Sequence, residues 1–132
     1  MIYKIDLKLT KKEGDIFLDN LTKDEIINLE SYDLKAYDEI INGYMTSYLI
    51  IDRSIMSKIV LLLRKKNVSF NYKDITNDIL SGTISFKGTP FENEVESFIM
   101  QEMNIDDILD KISKRGIKSL TALELKCLEK GY

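Results

Sequence analysis

The sequence predicts an α+β fold: a small mixed sheet with a βαβ crossover, and a helical C-terminal third that ends in a helical hairpin. Three observations predict it. The first residues, "IYKIDLKL", alternate apolar and charged side chains, as in a strand with one buried face. Residues 47–75 follow the pattern of strand, helix and strand. From residue 89 onward, apolar residues recur at helical spacing.

Length and composition indicate a folded globular chain. Its 132 residues are the length of one ordinary domain, and 44% of them are hydrophobic and 31% charged. The formal net charge is −3. A dedicated nucleic-acid binder usually carries a clear basic excess, so the charge argues against that class.

The N-terminal sequence, the apolar stretches and the cysteine content favour a cytoplasmic protein. The N-terminus shows no basic segment followed by an apolar run, so we expect no signal peptide. The most apolar stretch, residues 44–63, contains Asp52, Arg53 and Lys58, so we expect no membrane span. Cys127 is the one cysteine, which excludes an intrachain disulfide and a cysteine-based zinc site.

The N-terminal elements are predicted from local signals. Gly14 predicts a turn, and "IFLD" after it predicts a short second strand. Thr22 and Glu25 have the spacing of a capping box and predict a helix from there. The apolar stripe of "LKAYDEII", which stops at Gly43, predicts a second helix.

The crossover and the region after it complete the predicted domain. Asp52 or Ser54 caps a helix between two short strands, which we expect to be parallel. "TNDILSG" predicts a helical turn, and residues 83–87 fit either a strand or an extended connector. A capping box of Thr89 and Glu92 predicts a helix that runs to residue 103.

The last residues predict two short helices, and we place a domain seam before them, dividing the chain into 1–103 and 104–132. The hairpin is expected to pack on the same domain. Asn104 can cap the first helix, and Gly116 is suited to end it. Thr121 and Glu124 have capping-box spacing at the start of the second.

A motif spans this hairpin. Its pattern is roughly L-D-K-I-x-x-x-G-x-x-S-L-T-x-x-E-x-x-x-L, and the matching residues are Leu109, Asp110, Lys111, Ile112, Gly116, Ser119, Leu120, Thr121, Glu124 and Leu128. It resembles a short two-helix module found at the C-terminal ends of diverse bacterial proteins, including some rhomboid-type membrane proteases. The resemblance covers the last quarter of the chain. It implies an accessory or docking element rather than an enzyme.

The chemical inventory favours no catalytic, cofactor or metal site. The chain has no histidine, which excludes Ser-His and Cys-His dyads and histidine-metal sites. The glycines are isolated and form no phosphate-binding loop. Cys127 lies on the apolar side of the last helix, where we expect it to act as a small buried hydrophobe.

Two charged clusters are the candidate interaction residues. The acidic run after Phe91 contains no basic residue before Lys111, and Asp106 and Asp110 share a helix face on which a cation could bind. The opposite charge lies at the end of the crossover helix, where it favours the helix C-terminus and could also meet the acidic run, within the molecule or in a second copy. The candidate residues are Asp106, Asp107, Asp110, Arg64, Lys65 and Lys66.

These observations favour a non-enzymatic protein that acts through protein–protein interaction, in a regulatory or docking role. One alternative is an immunity or inhibitor protein whose acidic charge steers it to a basic target. Further alternatives are a carboxylate- and metal-dependent enzyme and a weak nucleic-acid binder. The sequence leaves the partner, the oligomeric state and the strand order open.

Overall fold

A computed structural model describes residues 1–129 of the chain and confirms the α+β class and the helical C-terminal third. The chain divides into two compact units, unit 1 (Met1–Ser85) and unit 2 (Phe86–Tyr132). The boundary between these units lies before the last three α-helices. The division into domains 1–103 and 104–132 stays a prediction.

Unit 1 contains all the strands of the described residues. Its elements are β1 (Ile2–Leu7), α1 (Lys11–Asp19), α2 (Lys23–Ser31), β2 (Lys35–Ile41), β3 (Tyr44–Ile50), α3 (Arg53–Lys65), β4 (Phe70–Asp74) and α4 (Thr76–Leu80). Unit 2 is helical, with α5 (Glu92–Glu102), α6 (Ile105–Arg115), a 3-10 turn (Ile117–Ser119) and α7 (Ala122–Glu129).

The sheet has four strands in the order β2-β3-β1-β4, and every neighbouring pair is antiparallel. Because β3 and β4 are both antiparallel to β1, they run parallel to each other, as the crossover pattern predicts. They are not neighbours, however, since β1 lies between them. The sheet is therefore antiparallel and not mixed as predicted, because β1 lies where β3 and β4 would otherwise pair directly.

The core of unit 1 lies between α3 and one face of the sheet. Asp52 caps α3, since its Oδ1 accepts a hydrogen bond of 2.9 Å from the Ile55 N–H. The buried residues that form this core are Tyr3, Ile5, Leu49, Ile51, Met56, Ile59, Val60 and Leu63. Each large apolar side chain buried there stabilises the fold by roughly 1.5–3 kcal/mol.

The structure corrects the prediction for residues 10–19, which form the helix α1 and not a turn followed by a strand. Thr10 and Glu13 form a capping box: Thr10 Oγ1 accepts from the Glu13 N–H at 3.2 Å, and Glu13 Oε1 accepts from the Thr10 N–H at 3.1 Å. Gly14 is buried, and a Cβ there would collide with the sulfur of Met45 on β3. The glycine thus permits close approach of helix to strand rather than a turn.

A second correction concerns residues 34–41, which form strand β2 and not a helix. β2 pairs along its length with β3, from Lys35 opposite Ile50 to Ile41 opposite Tyr44. Asn42 and Gly43 join the two strands, with φ values of 53° and 84°. Positive φ at both central residues is the signature of a type I′ hairpin turn, so Gly43 turns the chain instead of ending a helix.

The connection between the units contains no strand at residues 83–87, and the predicted capping box of Thr89 and Glu92 is wrong. Thr89 Oγ1 instead donates to the Phe86 carbonyl at 2.6 Å, and Glu92 Oε2 accepts from the Gly88 N–H at 3.2 Å. These bonds close a turn, and α5 therefore begins only at Glu92.

Candidate interaction surface

The terminal hairpin, which we define as α6, the 3-10 turn and α7, has the local structure that its caps predict. Asn104 Oδ1 accepts a hydrogen bond of 2.8 Å from the Asp106 N–H and begins α6. Gly116, at φ 81°, ends it. Ser119 Oγ then donates to the Gly116 carbonyl at 2.7 Å and holds the turn between the helices.

Glu124 joins the two helices of the hairpin. Its Oε1 accepts from the Thr121 N–H at 2.9 Å and from Lys111 Nζ at 2.8 Å, and its own N–H donates to Thr121 Oγ1 at 3.2 Å. Burial raises the pKa of Glu124, but the hydrogen bonds from Lys111 and Thr121 outweigh it and lower the pKa below its usual value. Glu124 is therefore a carboxylate that caps α7 and fixes it to α6.

The inner side of the hairpin is apolar. Ile108 of α6 and Cys127 of α7 are buried, and α7 packs against both α5 and α6. Lys126 Nζ also lies 3.2 Å from Glu96 Oε2 on α5. The prediction that Cys127 is a small buried hydrophobe is confirmed. Within unit 2 the hairpin is thus packed on α5.

Three large apolar side chains of the hairpin remain exposed to solvent. Leu109 is 51% exposed, Ile117 59% and Leu125 38%. We call these three residues the apolar triad. Exposed apolar residues are common on protein surfaces and occur as densely in unit 1, at Ile16, Leu18, Ile26 and Ile27. The triad is a candidate contact surface because it lies in the hairpin whose motif implies a docking element, and not because of its number.

The predicted acidic residues lie on α6, beside this triad in sequence. Asp106, Asp107 and Asp110 are all exposed, and the first two lie in the first turn of the helix. Asp110 Oδ2 lies 3.0 Å from Lys114 Nζ in an exposed pair. Among residues 1–129, no group of three or more histidine, cysteine, aspartate or glutamate side chains is placed to hold a metal ion.

The predicted basic residues lie in unit 1, at the C-terminal end of α3. Lys66 Nζ is 2.8 Å from Glu25 Oε1, and Lys65 Nζ is 3.6 Å from Glu25 Oε2. The Lys66 ammonium, followed by the Thr22 N–H, lowers the pKa of Glu25 to about 2. Two of the three basic candidates therefore bind a carboxylate of α2.

Arg64, the third basic candidate, lines an open groove with Phe70 and Tyr72 of β4, whose rings stack at 6.2 Å. Sequence reasoning missed Glu25 as the partner of the lysines. The capping box of Thr22 and Glu25 is apparent in the sequence. Its contact with the end of α3 is not, because two strands lie between them in the chain.

A family model matches the C-terminal segment of the chain. Residues 99–130 match a family of unknown function (DUF6576), which covers about a quarter of the chain, from within α5 through α7. This match supports the predicted C-terminal module and gives no link to rhomboid-type proteases. No curated protein and no solved structure matches the chain. In the described part of the chain, none of the helices combines the length and the apolar character needed to cross a bilayer.

Proposed function

We propose that this is a bacterial cytoplasmic protein of non-enzymatic type, which binds another protein through the terminal hairpin in a regulatory or docking role. One observation supports it above the others. The residues matched by the family include the whole terminal hairpin, whose two α-helices are joined through Glu124. The apolar triad remains exposed in this arrangement. A short segment that matches a family model by itself and keeps apolar side chains exposed has properties expected of a docking module.

The chemistry of the hairpin indicates what the partner carries. Leu109 projects from a helix whose neighbouring acids, Asp106 and Asp110, are exposed. Asp110 is already paired with Lys114. A fitting partner therefore offers an apolar recess for Leu109 with a basic side chain placed to meet Asp106. Opposite charges of this kind accelerate encounter, while the buried leucine slows dissociation.

The test is affinity capture with the tagged full chain, followed by mass spectrometry, on three versions of the protein. The first is the wild type. The second is Leu109→Ser, which removes the central apolar contact. The third is the matched control Leu61→Ser, which changes a leucine that is 64% exposed on α3 of unit 1.

A protein captured by the wild type and by Leu61→Ser, but depleted at least about fivefold with Leu109→Ser, supports the proposal, since loss of one interface anchor costs upwards of 1 kcal/mol. Thermal unfolding of all three versions shows whether the hairpin is still folded. Equal capture by all three, or no specific partner at physiological salt, contradicts the proposal.

A further inference from the structure

Strand β2 is an edge of the sheet, since within residues 1–129 it pairs with β3 and no other strand. Natural edge strands are commonly protected by proline, a bulge, charged side chains or short length. β4, at the other edge, is five residues long and mostly polar. β2 has seven residues and no proline, and its Ile40 is 53% exposed. Three of its residues, Lys35, Asp38 and Glu39, are charged, so this edge can accept a strand whose charges complement its own.

The hairpin turn determines which backbone groups face outward. In a two-residue type I′ hairpin the flanking residues, here Ile41 and Tyr44, form a hydrogen-bonded pair. Along β2, every second residue from Ile41 therefore bonds to β3. Met45, the next residue of β3, agrees with this alternation. Its N–H does not bond to β2 but to the Leu9 carbonyl, at 2.8 Å. The residues of β2 with outward N–H and C=O groups are Ala36, Asp38 and Ile40.

We infer that a second copy of this chain pairs antiparallel with this edge about a twofold axis at Tyr37, which joins two four-stranded sheets into one. In this register the outward groups of Ala36 bond to those of Asp38 of the partner subunit, twice by symmetry. Lys35 lies across from Glu39 of the partner subunit, and the exposed Ile40 lies across from Leu34 of the partner subunit. Lys35 and Glu39 thus form an opposite-charge pair on each side of the axis, while Asp38 faces the small side chain of Ala36.

The neighbouring registers are disfavoured by charge. An axis at Asp38 places two Asp38 carboxylates directly opposite each other. An axis at Ala36 places Lys35 opposite Tyr37, so the pairs between Lys35 and Glu39 are not formed. Like charges at directly opposed positions destabilise a sheet, so charge selects the register with its axis at Tyr37.

The register is tested by two substitutions at one exposed position, with the full chain and sedimentation equilibrium as the measurement. Ala36→Lys adds two ion pairs to Asp38 across the axis, and Ala36→Asp adds two repulsions. We expect the dimer Kd to fall by about 2- to 30-fold for Ala36→Lys and to rise by a similar factor for Ala36→Asp. An axis at Asp38 would place Ala36 opposite Ile40, and the two substitutions would then act alike.

A third variant tests the edge itself. Asp38→Pro removes an outward N–H that the hairpin with β3 does not use, and proline is tolerated at such edge positions. We expect a folded monomer, checked by circular dichroism. If Asp38→Pro does not fold, the comparison of Ala36→Lys with Ala36→Asp remains the test of the inference. A wild-type chain that stays monomeric at its highest soluble concentration overturns the inference, and so do equal Kd values for Ala36→Lys and Ala36→Asp.

Discussion

The two units use the same capping device in different surroundings. In unit 1, Glu25 caps α2 and binds Lys66, which lies beyond two strands in the sequence. In unit 2, Glu124 caps α7 and binds Lys111, only 13 residues earlier. Both glutamates are ionised carboxylates with lowered pKa values.

The units differ in the other contacts that stabilise the helices capped in this way. In unit 1 the main stabilisation comes from an apolar core shared by β1, β3 and α3, elements distant in sequence. In unit 2 the helices follow one another directly, and a smaller set of buried apolar residues, among them Val95, Ile99, Ile108 and Cys127, accompanies the caps and ion pairs. Stability should therefore depend on buried apolar contacts in both units, and in the terminal hairpin also on the polar contacts to Glu124.

The largest expected effect is in the core of unit 1. Leu63 and Leu61 lie on the same helix, 6% and 64% exposed. Leu63→Ala should lower the free energy of unfolding by about 2–5 kcal/mol through lost burial and a cavity. Leu61→Ala should change it by less than about 0.5 kcal/mol. Urea unfolding measures both, and equal effects would show that α3 does not bury the predicted face.

The next effect is in the terminal hairpin. Glu124→Ala removes the cap of α7 and the bond to Lys111, and should cost about 1–2 kcal/mol. Hydrogen exchange with mass spectrometry should show faster exchange across α6 and α7, with β1 and α3 unchanged. The control is Glu102→Ala, an exposed glutamate near the end of α5. If hydrogen exchange in the hairpin is unchanged in Glu124→Ala, the stability of the hairpin does not depend on the contacts of Glu124.

The capping device of unit 1 predicts a pH dependence. The pKa of Glu25 falls from its ordinary 4.5 to about 2 on folding. A carboxyl with a lowered pKa stabilises the folded state fully above its unfolded pKa, and this stabilisation is lost as the pH falls through the folded value. The wild type should thus lose stability between pH 4.5 and about 2, and Glu25→Gln should lose less over that range.

Urea unfolding at a series of pH values measures this difference. The variant should still weaken somewhat in acid, because other carboxyls also have lowered pKa values: Glu13, Asp52, Asp74 and Glu124. A carbon-13 NMR titration in which Glu25 titrates at its ordinary pKa would contradict the account of its bond to Lys66.

The smallest effect concerns an exposed ion pair. Lys114 and Asp110 are one helical turn apart on α6, at 3.0 Å, with both side chains largely in solvent. Lys114→Ala should change the free energy of unfolding by no more than about 0.5 kcal/mol, and less in high salt. A larger loss in urea unfolding at both low and high salt would mean that exposed pairs, and not Glu124 alone, stabilise the hairpin.

The same contrast explains what the sequence could predict. The terminal hairpin was predicted correctly because its signals, Asn104, Gly116 and the box of Thr121 and Glu124, act within one or two turns of a helix. Residues 34–41 were predicted wrongly because their apolar stripe fits a helix as well as an exposed edge strand. Pairing with β3 decided between the two, and local pattern does not show that pairing.

Two further contacts join residues that are far apart in the sequence, so local sequence patterns do not predict them. Gly14 lies against the sulfur of Met45, some thirty residues later in the chain. The lysines at the end of α3 were predicted as interaction residues, and two of them bind Glu25. Of the candidate site, the acidic residues of α6 were predicted from the sequence, but the exposure of Leu109, Ile117 and Leu125 required the packing of the helices.

The most direct test of the central proposal, docking through the terminal hairpin, is the affinity of the captured partner for purified wild type, Leu109→Ser and Leu61→Ser, measured by titration calorimetry. We predict that Leu109→Ser weakens binding by at least about fivefold and that Leu61→Ser binds as the wild type does. Binding that Leu109→Ser leaves unchanged would contradict the proposal and place the contact surface elsewhere on the molecule.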